Sequence, residues 1–110
     1  MAHYMLRWQF SAPSATALVA KPQDRTGPAK ELIESCGGKL HSYFFELGHY
    51  DGLGICEFPD TTSAAAASLI ASSSGAFTRF ETTALMTAKE AEAAMKKAHD
   101  KVASYKPPKS

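Results

Sequence analysis

Cysteine is scarce in this sequence: Cys36 and Cys56 are the only two in 110 residues. Two thiols cannot form the disulfide framework that staples small secreted domains, and their spacing lacks the paired ligands of a zinc site. The expectation is two reduced, largely buried thiols in a cytoplasmic protein, with a Cys36–Cys56 bridge as the outside alternative. Long apolar runs are missing too. No stretch approaches the roughly 20 residues that span a bilayer, so no membrane partner is expected. The N-terminal segment has Arg7 in its middle and no small-residue cleavage site, which argues against a secretory signal. Charge of one sign is also lacking. Twelve Lys and Arg stand against eleven Asp and Glu, for a formal net charge of +1, so nucleic acid is not an implied partner. No phosphate loop, dinucleotide fingerprint, nucleophile elbow or CxxC occurs. No cofactor follows from the residues, and no metal site is assigned.

What is present is an ordinary globular balance, 45% hydrophobic and 21% charged, sized for one core. A single domain is expected over residues 1–104, with a disordered tail over 105–110 around Pro107-Pro108. Residues 4–10 alternate, with Tyr4, Leu6, Trp8 and Phe10 on one face and Met5, Arg7 and Gln9 on the other, the period-2 signature of a strand. Ser14 can cap a helix that Pro22 interrupts and that resumes over residues 24–36. Gly37-Gly38 stops it. Residues 39–47 and 53–58 read as two strands joined by the turn-rich Gly48-His49-Tyr50-Asp51-Gly52. An alanine-rich helix follows over residues 62–73, with Leu69 and Ile70 as its largest anchors, and a fourth strand over 77–85. Thr87-Ala88-Lys89-Glu90 is a capping box. It opens a last helix whose apolar stripe, Ala91, Met95, Ala98 and Val102, is thin.

The order β-α-β-β-α-β with an extra C-terminal helix predicts an α+β fold, a ferredoxin-like sandwich with helices on one face of an antiparallel sheet. The second face is then bare, yet the middle strands carry apolar side chains on both sides. In the second strand, Leu40 and Phe44 oppose Tyr43, Phe45 and Leu47; in the third, Leu53 and Ile55 oppose Cys56 and Phe58. Burying one such side chain is worth about 1.5–3 kcal/mol, so a partner sheet is the economical cover. The expected partner is a second copy, giving a homodimer or higher oligomer whose sheets pair into a dimeric α/β barrel. A monomer covered by its own last helix is the alternative.

Gly48-His49-Tyr50-Asp51 resembles the Gly-x-Tyr-Asp signature of the GYD-domain family. Leu6-Arg7-Trp8, the run Glu34-Ser35-Cys36-Gly37-Gly38-Lys39-Leu40, and Glu57-Phe58-Pro59-Asp60 also resemble that family in order and spacing. The resemblance implies a fold of the dimeric α/β-barrel type and no established biochemical activity, so it carries over motif positions and no roles.

Among the residues themselves, Tyr50 and Asp51 suit a tight turn, Asp51 accepting backbone N–H bonds, or alternatively a rim facing a ligand. Arg7 is a permanent charge in mid-strand that demands a carboxylate, either Glu46, Glu57 or Glu81 across a dimer or one on a bound molecule. His41 and His49 flank the hairpin and with Asp51 offer a weak metal pattern. A small-molecule pocket between sheets or between sheet and helices is therefore expected, with Arg7, Trp8, His41, Tyr43, His49, Tyr50 and Asp51 as its candidate lining. A cofactor-free enzyme of monooxygenase or isomerase type, with a histidine moving the proton and Arg7 stabilising an enolate, and a purely structural assembly module are the alternatives.

Overall fold

A computed structural model of the chain describes residues 1–109; Ser110, the end of the expected tail, lies outside the described residues. The elements are β1 (Ala2–Phe10), α1 (Ala12–Ala20), α2 (Thr26–Ser35), β2 (Lys39–Phe45), β3 (Gly52–Phe58), α3 (Thr61–Ser73), β4 (Phe77–Leu85) and α4 (Ala88–Lys101), with a short 3-10 turn over Val102–Ser104. The strands form one sheet in the order β2-β3-β1-β4 with every neighbouring pair antiparallel. Alternation decides which side each residue serves. Tyr4, Leu6 and Trp8 of β1 and Cys56 and Phe58 of β3 point under the helices and are buried. Met5 and Arg7, together with Leu53 and Ile55, take the opposite, open face and stay partly exposed.

The ends of the helices follow from local chemistry. Ser11, rather than Ser14, caps α1: its hydroxyl accepts from the Ser14 amide at 3.3 Å, and Pro13 sits in the first turn, where no donor is needed. Asp24 accepts from the Thr26 amide at 2.9 Å and starts α2 two residues later than the sequence pattern suggests. At the other end of α2 the Gly37 amide reaches the Glu34 carbonyl and the Gly38 amide the Ile33 carbonyl, each at 2.9 Å. This is a Schellman closure, and it needs the left-handed φ of +81° that glycine supplies at position 37. Asp60 caps α3 through the Ser63 amide at 2.8 Å.

Two expectations about packing are corrected. The anchors of α3 are not Leu69 and Ile70, which are 69% and 51% exposed, but Ala64, Ala67 and Ala71, all buried. Those alanines recur at helical spacing and let the backbone lie close on the sheet, so the larger residues are turned outward. The second correction is in β2. A bulge between Leu40 and Ser42 adds one residue to that strand, so Tyr43 pairs opposite Gly54 and Phe44 opposite Leu53. Leu40, Tyr43 and Phe45 therefore share the helix side, and Phe44 goes to the open face, reversing the simple alternation beyond the bulge.

The last helix does not cover the open face. No residue of α4 is buried, Ala91 alone is even partly shielded, and Met95 and Val102 are 68% and 69% exposed. Its capping box is formed as expected, with Thr87 and Glu90 exchanging bonds of 3.0 and 3.1 Å. It projects from the body, and the molecule measures 59 × 36 × 23 Å. No helix among the described residues is long and apolar enough to cross a membrane. Cys36 and Cys56 are both free thiols, and burial pushes the pKa of Cys56 up to about 11.

Candidate functional site

On the helix side, α1 is apolar in composition yet buries none of its residues. Beneath it lies a cavity of about 440 Å³. Its floor is aromatic, with Trp8, Tyr43, Phe77 and Phe80; Leu18 of α1, Leu32 and Ile33 of α2 and Ala71 of α3 close it above and at the side. The floor is a ring cluster: the indole of Trp8 stacks on Phe80 at 6.1 Å and lies 5.4 Å from Tyr43. The sequence permits this at Gly52, where a Cβ would fall 2.6 Å from the indole edge, so any larger residue would displace Trp8. The indole N–H is buried with no acceptor among the described residues, a cost the protein carries in the wall of this cavity.

The cavity's polar lining includes two exposed side chains, Gln23 and Arg25. Gln23 and Arg25 come from the loop between α1 and α2, and Arg25 Nη1 donates to Gln23 Oε1 at 2.9 Å. Burial raises the pKa of the Tyr43 hydroxyl, and Arg25 acts against that rise. The chamber thus suits an apolar body with one polar or anionic end at Arg25. Among the described residues, neither a histidine nor Arg7 lines it, so the acid–base pair required by the enzymatic alternative is not gathered there.

The residues expected to line one pocket are therefore divided by the sheet. Trp8 and Tyr43 belong to the cavity. Asp51 belongs to the hairpin: its Oδ2 accepts from the Phe10 amide at 2.8 Å, its amide donates to the Trp8 carbonyl at 2.8 Å, and its carbonyl accepts from the Glu46 amide at 2.8 Å. That carboxylate serves the amide at which the β1–β4 register shifts, the turn-holding role anticipated for it. The neighbouring His49 is exposed, and its carbonyl accepts from the Gln9 side chain.

On the open face Arg7 makes a bidentate pair with Glu46, Nε to Oε1 and Nη2 to Oε2, each at 2.8 Å. The Arg7 side chain is 33% exposed and Glu46 19%. The partner is one of the three glutamates anticipated, but it lies in the same chain and no second copy is needed. The guanidinium also sits 4.2 Å over the Tyr50 ring, whose hydroxyl donates to Glu81 Oε1 at 2.9 Å. Pairing pushes the Arg7 pKa up and holds the Glu46 carboxyl below its ordinary value; the bond to Glu81 raises Tyr50. At the far end of this face His41 is not joined to His49. It hydrogen-bonds Glu57, which His3 also approaches at 3.8 Å, with the two imidazoles stacked 5.9 Å apart. The sequence pattern did not single out His3 or Arg25, and it offered Glu57 only as a partner for Arg7, not for His41 and His3. His3 carried a usable signal, being in phase with Arg7 and Gln9 along β1; Arg25 carried none, since it lies in an irregular loop.

Helices on one side of a four-stranded antiparallel sheet, an aromatic-floored chamber between the layers and a charged network on the other side define a small α+β domain. The sequence pattern of the GYD domain matches residues 4–95. The chain belongs to the GYD-domain family. No curated protein matches it.

Proposed function

We propose that this GYD domain is a self-associating module that holds a small, mainly apolar molecule bearing one anionic or polar end. The observation that carries the binding reading is the cavity: about 440 Å³, within the range of roughly 300–1,000 Å³ typical of ligand sites, and apolar with a few polar groups at its rim. Arg25 is the group that would receive the charged end.

Self-association draws on the other face. The strand order β2-β3-β1-β4 supports the ferredoxin-like reading, and the open side of such a sheet is what pairs in a dimeric barrel. Here that side presents Met5, Phe44, Leu53 and Ile55, Phe44 being 60% exposed, while α4 stands away from it.

Native mass spectrometry of the protein purified from its own cells tests both parts, because it reads stoichiometry and retained mass together. A dimer or larger species with one adduct of a few hundred daltons per chain is expected; an adduct-free monomer at micromolar concentration would overturn the proposal. Trp8, the only tryptophan, supplies the solution check. A naphthalene carboxylate should change its emission saturably, Arg25→Ala should weaken the carboxylate more than neutral naphthalene, and Leu32→Phe should narrow the chamber and weaken both responses.

A further inference from the structure

We infer that His3, His41 and Glu57 form a binding site for one divalent transition-metal ion of the zinc class on the open face of the sheet. The ligand atoms of these residues all lie within 4.8 Å of one another. They come from three adjacent strands: His3 pairs opposite Glu57 across β1 and β3, and His41 is the unpaired residue of the β2 bulge. The bulge decides the geometry. An extra residue at this point re-aims a side chain, and His41 thereby reaches Glu57 instead of standing over Ile55.

The chemistry of the set is that of an open site. Two imidazoles and one carboxylate, with further positions left to water, are the ligands of catalytic zinc centres and of facial-triad iron centres. Two ligand atoms at about 2.0–2.1 Å from a tetrahedral ion stand about 3.3 Å apart. His3 Nε2 lies 3.8 Å from Glu57 Oε1, too long for a hydrogen bond and a few tenths of an ångström from that separation. His41 already touches the other carboxylate oxygen, Oε2. An ion entering between them would replace that hydrogen bond and release any proton on the ligating nitrogen. Both histidine and glutamate side chains are partly open to solvent, at 33% and 20% exposure, which gives the ion a route in. His3 Nδ1 is buried with no partner among the described residues, and Nε2 is the ring nitrogen on the Glu57 side.

All three ligands belong to one chain, so the site is read per chain; it lies on the face proposed to pair, and metal titration and sedimentation read the site and that pairing separately. The test is calorimetric titration of Zn²⁺ into the full chain at neutral pH, repeated with Co²⁺ followed by visible absorption. One equivalent per chain and histidine-type Co²⁺ bands are expected. His3→Ala and His41→Ala should each weaken Zn²⁺ by at least the roughly 10–100-fold that loss of an outer-shell partner alone costs. His99→Ala, on the exposed α4, should leave binding unchanged. Circular dichroism shows whether each variant is folded, and Glu57→Gln adds a variant that keeps the shape while removing the charge. No saturable binding at Zn²⁺ up to about 1 mM, or undiminished affinity in a folded His3→Ala/His41→Ala double variant, would overturn the site.

Discussion

The two faces of this sheet are made from alternate residues of the same strands, yet they are built to different rules. Under the helices, Tyr4, Leu6, Trp8, Cys56 and Phe58 form a core with alanines of α3, and no polar or charged residue among those described is buried. On the open side the same strands offer Arg7, His3 and Glu57 interleaved with Met5, Leu53 and Ile55. Arg7, His3, His41 and Glu57 there have partners within the chain, while Met5, Leu53 and Ile55 between them stay partly exposed. One side therefore answers to packing, where a lost methylene is felt at once. On the other, charged pairs fix the geometry around apolar groups that stay partly exposed.

The comparison would break most sharply at Phe58. Its side chain is fully buried, and Phe→Ala at such a site costs about 3–5 kcal/mol. Phe58→Ala should therefore lower the urea midpoint by that equivalent at any protein concentration. A loss below about 1 kcal/mol would mean that the helix side is not the stabilising one. The open-face counterpart is Ile55→Lys. Its expected effect is on assembly: sedimentation should show a monomer across the micromolar range in which the natural chain is expected to be a dimer or larger, with the unfolding midpoint extrapolated to low concentration nearly unchanged. An Ile55→Lys chain that still sediments as the natural one does would remove the open face from the assembly.

Asp51 tests the boundary between the two faces, since its carboxylate holds the end of β1 from the hairpin. Asp51→Ala leaves the Phe10 amide without its acceptor and should cost about 1–3 kcal/mol, measured by denaturant unfolding, with the Trp8 response to a naphthalene carboxylate largely retained. Unchanged stability with lost binding would make Asp51 part of the site.

Much of this was legible in the residues. The clean alternation of β1, the glycine stop after α2, the capping box of α4 and the extent of β4 each rest on a local rule, and each holds. What was not legible depends on contacts far apart in sequence. The bulge at His41 leaves no mark in composition, yet it reverses the faces of Tyr43 and Phe44 and leaves His41 unpaired beside Glu57. The alanines of α3 looked like filler beside Leu69 and Ile70, because only the close approach of helix to sheet makes small size the deciding property. Arg7 was recognisable as a charge needing a carboxylate, but choosing Glu46 over Glu57 and Glu81 required the turn that brings residue 46 back over β1.

The smallest expected effect concerns that pair. Arg7 and Glu46 are partly solvated, and pairs so placed contribute little to stability because water and salt screen them. Arg7→Met keeps most of the bulk and the contact with Tyr50, so the change in unfolding midpoint at neutral pH should be small. Its pH dependence is the informative part. Arg7 holds the Glu46 carboxyl below its ordinary value near 4.5. A depressed carboxyl binds fewer protons folded than unfolded, so its contribution is fully present above the unfolded pKa and fades as pH falls through the folded one. The guanidinium stays charged throughout. The gap between the natural chain and Arg7→Met should therefore be level from neutral pH down to about 5 and close below about 4, and Glu46→Gln should remove the same acid-sensitive portion. The double variant should lose no more than either single one. A gap that persists undiminished well below pH 4 would show that Arg7 acts through its stack on Tyr50 rather than through Glu46.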